Sequence, residues 1–185
     1  ETPVVQMKSA ILSGLRYEDP KQAGVNELLS RVWTAGTSKQ SEAEIASILE
    51  STAASISAFG GRNSVGLSMT ALQPFAAETF DLFGQFYKDP DFAVDAVERE
   101  KMMMLESLKN REDNAAQKCI LNMTRELFGT HPYGRDPLGS REAVAALKRD
   151  TVKSYYNNIC NPEKLVISLV GPVNRHEWAE RIQSA

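Results

Sequence analysis

Between Ala23 and Thr37 the chain carries a helix whose limits and buried face can both be read from the residues. Leu28, Leu29, Val32 and Trp33 recur at helical spacing, which predicts a helix over about residues 22–34, stopped by Gly36. Glu27 and Arg31 lie one turn apart with the acid N-terminal to the base, the favourable order for an ion pair. An apolar stripe of this kind has to be covered by a second layer of structure.

The rest of the chain supplies that layer. Val4 to Leu15 suits an extended segment and runs into a turn at Pro20. Ser41-Glu42-Ala43-Glu44 has the form of a capping box, and Ile45, Ile48, Leu49 and Thr52 give the helix behind it one apolar face. Residues 55–59 and 62–72 alternate polar and apolar around Gly60-Gly61, which predicts a β-hairpin. Pro74 opens a helix carrying Phe75, Phe80, Leu82, Phe83 and Phe86, with the four phenylalanines read as core, and Asp89-Pro90 ends it. Longer helices are expected over about 93–111 and 114–128. Ser140 and Asp150 are positioned as N-caps of two more, the second running through Tyr155 and Tyr156. Leu165 to Val170 reads as a strand closed by Gly171-Pro172, and Asn174 as the cap of a final helix. Helices and strands mix without strict alternation, so the expected class is α+β, with helices on one face of a largely antiparallel sheet.

The 185 residues fit one domain with a sizeable core. A net charge of −3 argues against a nucleic-acid partner, since no basic excess is present to displace counterions. No apolar run approaches the roughly 20 residues of a membrane span. The chain opens on Glu1, which reads as a piece of a longer protein, and the compartment stays open between bacterial cytoplasm and periplasm. Cys119 and Cys160 lie outside any C-x-x-C pattern and read as buried apolar fillers.

The segment from Gly24-Val25 to Gly36-Thr37 resembles the motif helix of the pitrilysin/insulinase family. In these inverted-motif zinc peptidases a glycine and an apolar residue lead into His-x-x-Glu-His. Here Glu27, Ser30 and Arg31 stand at the first His, the general-base Glu and the second His. A helical zinc site needs neutral imidazoles at i and i+4 and a carboxylate to take a proton from bound water. Arg31 stays protonated and has no lone pair to give. The stretch Met104-Leu105-Glu106-Ser107-Leu108, followed by Arg111-Glu112-Asp113, resembles the one that supplies a further Glu ligand, and places Ser107 at that position with Glu106 one residue off. The resemblance continues through Phe59-Gly60-Gly61-Arg62-Asn63-Ser64, Pro90-Asp91-Phe92, His131-Pro132-Tyr133-Gly134 and Leu165 to Gly171.

The resemblance implies one motif-less metallopeptidase half-domain, of the LuxS/metallohydrolase-like type, spanning residues 1–185. It implies no catalytic residue and no metal ligand in this chain, with zinc in the active half-domain of a parent or partner. The role implied is to support peptide binding and assembly of a proteolytic chamber, with other half-domains and a peptide substrate as partners. Alternatives are a stand-alone inactive subunit paired with an active zinc peptidase, and a scaffold with no peptidase role. Arg62 and Tyr133 are candidates for substrate contact. His131 is expected to organise its loop's backbone, His176 to be solvated, and Met102-Met103-Met104 to turn one side to the core and leave the rest partly exposed.

Overall fold

The computed structural model describes residues 3–184. Strand β1 (Val4–Leu12) leads to helix α1 (Val25–Val32) and α2 (Glu42–Ser51), followed by the hairpin β2 (Ser55–Gly60) and β3 (Ser64–Leu72). Helices α3 (Ala76–Lys88), α4 (Val94–Glu112) and α5 (Ala115–Phe128) come next. They are followed by α6 (Arg141–Ala146), α7 (Arg149–Ile159), β4 (Val166–Val170) and α8 (Arg175–Ser184). The strands form one antiparallel sheet in the order β2-β3-β1-β4.

Period-2 alternation decides which side of this sheet the helices cover. Val5, Met7 and Ile11 of β1, Leu67, Met69 and Ala71 of β3, and Ile56 of β2 are buried, whereas Gln6, Lys8 and Leu12 face outward. Register keeps the inner set together, with Met7 opposite both Met69 and Leu169. The helices lie on that one face. The fold is therefore α+β with a helical layer on an antiparallel sheet.

The core gathers around Trp33, which is fully buried and donates its indole N–H to the Phe86 carbonyl at 2.8 Å. Tyr87 and Tyr156 meet its ring edge-on at 5.2 and 5.4 Å between centroids, a favoured aromatic geometry. Burial pushes both tyrosine hydroxyls well above their ordinary pKa, so they stay protonated and act as hydrogen-bond donors. Tyr156 donates to the Tyr87 carbonyl at 2.6 Å, while the Tyr87 hydroxyl meets Ser9 Oγ at 2.6 Å.

Ser9 marks a local departure from the β1–β3 ladder. Its hydroxyl donates to the Leu67 carbonyl at 3.1 Å and accepts from the Leu67 N–H at 3.2 Å. The strands approach so closely there that a Cβ on Gly66 would lie 2.0 Å from the Ser9 carbonyl oxygen.

Several boundaries and placements differ from expectation. β1 stops at Leu12, not Leu15, because Gly14 turns the chain at φ +93° and Leu15 N–H bonds to the Gly61 carbonyl. α1 begins at Val25, not Gln22, because Gly24 at φ +95° separates it from a short turn over Pro20–Gln22. Asp150 is not an N-cap: α7 opens at Arg149, and Asp150 sits in its first turn, where a carboxylate still suits the helix dipole. Phe75 lies in the turn ahead of α3 and is 36% exposed, so it is not core. Cys119 is exposed, since the outer side of α5 meets no other layer, and Cys160 is half-buried. Asn174 and Ser140 do cap their helices, and the Ser41–Glu44 capping box forms.

Gly66→Ala is expected to force β1 and β3 apart and lower stability by about 2–3 kcal/mol in urea denaturation. An unchanged midpoint would contradict this account of the strand approach.

Candidate functional site

The apolar residues of α1 decide where its polar ones point. Val25, Leu28, Leu29, Val32 and Trp33 are all at 0% exposure against the sheet and α7. Glu27 and Arg31 are left on the flank facing α4. The ion pair expected from their spacing forms, with Arg31 Nε 2.8 Å from Glu27 Oε1 and each side chain about one-quarter exposed. Arg31 Nη1 lies 3.9 Å from Glu100 Oε2 on α4. Glu100 in turn meets Arg99 at 3.5 Å, and Arg99 reaches Glu42 of α2 at 3.0 Å. A chain of alternating charges therefore links α1, α4 and α2.

Ser30 does not join Glu27 and Arg31. Its hydroxyl donates to the Glu27 carbonyl at 2.8 Å and sits beside Gly60 at the end of β2. Ser107 donates to the Met103 carbonyl at 2.8 Å within α4. It lines an open cleft of about 560 Å³ together with Glu27, Arg31, Asn110, Arg111 and Gln117. Glu106, the neighbouring possibility, is exposed and stands outside that lining. Positions 27, 31 and 107 thus converge on one cleft, although the last is more than 70 residues along the chain.

Arg62 and Tyr133 also meet, chiefly on each other. Arg62 donates to the Tyr133 carbonyl at 2.8 Å and lies 5.6 Å from its ring centroid, while the Tyr133 hydroxyl donates to Asn63 at 2.7 Å. His131 Nδ1 accepts from the Tyr133 N–H at 3.2 Å, which organises the loop as its sequence implied, and His176 is exposed. Met104 is fully buried, with Met102 and Met103 at 62% and 50% exposure.

Sequence reasoning missed Glu18. This carboxylate is only 4% exposed and accepts from the Asn26 N–H at 2.8 Å and the Gly24 N–H at 3.2 Å, so it caps α1 from outside the helix. Burial raises its pKa, against the lowering effect of these two amides and of Arg135. No local capping pattern announces it, because it lies six and eight residues ahead of the amides it serves.

The fold matches solved structures across its whole length. A peptidase M16 inactive domain from Pseudomonas fluorescens superimposes with a TM-score of 0.91 at 23% identity, covering 100% of this chain and 45% of that one. A protease from Helicobacter pylori gives 0.89 at 17% identity, again over 100% of this chain and 45% of the other. Residues 1–140 match the model of the insulinase family, peptidase family M16. The chain belongs to that family. Among curated relatives, the non-peptidase homolog YmxG of Helicobacter pylori is 25% identical over 176 residues, 95% of this chain and 41% of the relative. The uncharacterized zinc protease YmxG of Bacillus subtilis is 24% identical over 162 residues, 88% of this chain and 40% of the relative. The chain therefore spans less than half the length of these proteins.

Glu27, Ser30, Arg31 and Ser107 do not fit the zinc named for some of these relatives. Among the described residues no group of three or more His, Cys, Asp or Glu side chains is placed to hold a metal ion. The Arg31 guanidinium fills the place between Glu27 and α4, and it has no lone pair to offer.

Two outcomes are expected. If positions 27, 30, 31 and 107 correspond to a metal site, the combined replacement Glu27→His, Ser30→Glu, Arg31→His and Ser107→Glu yields a protein that keeps stoichiometric zinc after dialysis. Metal analysis showing none would break the correspondence. For Glu18, the folded chain holds a proton at pH values where the unfolded chain has lost it, so its contribution to stability is fully present below the ordinary value of 4.5 and is lost as pH rises through the raised pKa. Glu18→Gln removes this fall, seen as a flatter pH dependence of the urea midpoint; an unchanged profile would refute it.

Proposed function

We propose that residues 1–185 form a single non-catalytic half-domain of a longer M16 protein, which holds an extended peptide and completes a chamber with a zinc-bearing half. The observation that carries this reading is Arg31, whose guanidinium is paired with Glu27 at 2.8 Å where a second imidazole would be needed. Two descriptions among the similar proteins agree with it, a non-peptidase homolog and an inactive domain. The length of the relatives leaves room for a further half bearing the metal.

What this chain offers a peptide is a sheet edge. Among the described residues β2 pairs with β3 alone, so its other side presents unpaired backbone groups. An extended peptide adds there as a further strand, with main-chain bonds giving affinity and side-chain contacts giving selectivity. The β2–β3 turn brings Arg62 to the end of that edge, with Tyr133 behind it, and both remain in this reading as peptide contacts.

The isolated chain is expected to bind a labelled extended peptide yet leave quenched fluorogenic peptides uncut in the presence of zinc. Methylating alternate peptide nitrogens should abolish binding by removing the ladder donors. Zinc-dependent cleavage would overturn the non-catalytic assignment. Undiminished binding of the methylated peptide would overturn strand addition.

A further inference from the structure

Three arginines far apart in sequence converge on one cleft. Arg62 from the β2–β3 turn, Arg111 from the last turn of α4 and Arg135 from the loop ahead of α6 line a depression of about 270 Å³. Gln117, Ile120, Leu121 and Thr124 of α5 complete it together with Pro137, and among the described residues its lining holds no carboxylate. This runs against the balance of the chain, in which 24 acidic residues outnumber 21 basic ones.

Each guanidinium is fixed by a partner behind the wall. Arg62 donates to the Tyr133 carbonyl at 2.8 Å and Arg135 to the Glu18 carbonyl at 2.9 Å. Arg111 donates to both carboxylate oxygens of Asp136 at 2.7 and 2.8 Å. All of these bonds run through Nη1, and a guanidinium carries five N–H donors, so each fork keeps donors for a ligand. Asp136 offsets the charge of Arg111. Arg135 is held by the Glu18 carbonyl and lies within electrostatic reach of the Glu18 side chain, whereas Arg62 is held by a neutral carbonyl.

The cleft is also continuous with its neighbour. Arg111, Gln117 and Pro137 line both this depression and the one containing Glu27, Arg31 and Ser107. Arg62 stands just beyond Gly60, the last residue of the β2 edge. A strand laid on that edge ends beside Arg62. Ile120, 60% exposed at the rim, provides an apolar contact next to the cations.

We infer that this arginine-lined cleft receives a carboxylate side chain of an acidic peptide, which selects acidic over neutral and basic sequences. The inference rests on the peptide-binding reading above and adds a substrate class to it. A carboxylate matches the planar fork of a guanidinium and forms charge-assisted bonds with it, and positive walls in a concave site concentrate anions.

The test compares fluorescein-labelled peptides of equal length carrying Glu, Gln or Lys at alternate positions, by fluorescence anisotropy with the full 185-residue chain. The Glu peptide is expected to bind at least about tenfold more tightly than the Gln peptide, with the Lys peptide weakest and the preference shrinking as salt rises. Arg62→Glu should weaken Glu-peptide binding far more than Gln-peptide binding and so remove that preference. Arg62→Gln should give an intermediate loss. Lys153→Glu, the same charge reversal on the exposed side of α7, should change nothing. Circular dichroism matching the parent confirms that each variant is folded. Equal binding of Glu and Gln peptides would overturn the inference and leave peptide binding standing, as would an Arg62→Glu variant that keeps the preference. Failure of all three peptides to bind would overturn both.

Discussion

Everything on the helical side of this molecule depends on how α1 sits against the sheet. Val25, Leu28, Leu29, Val32 and Trp33 leave no exposed apolar surface, and burying side chains of this size stabilises by about 1.5–3 kcal/mol each. The Glu27–Arg31 pair beside them, partly exposed, contributes about 0.3–0.5 kcal/mol. Apolar contact therefore fixes the position of the helix, and the polar flank adds little to it. A helix anchored this way depends little on the Glu27–Arg31 pair for its position.

The link between α1 and α4 on that flank is one of charge. A ligand set would join these helices through one ion. Here they meet through the series Glu27, Arg31, Glu100, Arg99 and Glu42, which also takes in α2. Glu27–Arg31 at 2.8 Å and Arg99–Glu42 at 3.0 Å are short, whereas Arg31 to Glu100, which joins α1 to α4, is a looser 3.9 Å. The bridge that remains aligns charge without demanding a fixed coordination geometry. That is consistent with Ser107 bonding back into its own helix and away from α1.

Features legible in the sequence were those whose partners lie within a few residues. The stripe from Leu28 to Trp33, the Ser41–Glu44 box, the hairpin around Gly60-Gly61 and the Glu27–Arg31 pair follow from spacings of 3.6, 3, 2 and 4, and each is present. Asp150 was misplaced because α7 is capped at Lys148, two residues earlier, which puts the acid in the first turn instead. Phe75 was misplaced because aromatic content cannot tell a helix from the turn ahead of it. Glu18 had no local signature, since its capping bonds span a positive-φ glycine. Arg62, Arg111 and Arg135 come together only once the sheet order and the α4–α5 turn are known.

Helix α5 shows how far local interactions can hold an element that buries nothing completely. None of its residues is buried, and Ile120, Met123 and Leu127 are 60%, 59% and 72% exposed. Asn114 caps its first turn at Gln117, and Gly129 N–H closes its last turn on the Arg125 carbonyl at 2.8 Å. Phe128 then meets the Tyr133 ring edge-on at 5.5 Å, and Arg62 grips the Tyr133 carbonyl from the opposite side. The far end of α5 is thus tied to the β2–β3 turn through a single aromatic loop. The cleft lined by Arg62 and α5 lies between these two tied elements. Arg62 and Tyr133 are therefore held by each other as well as offered to whatever enters the cleft.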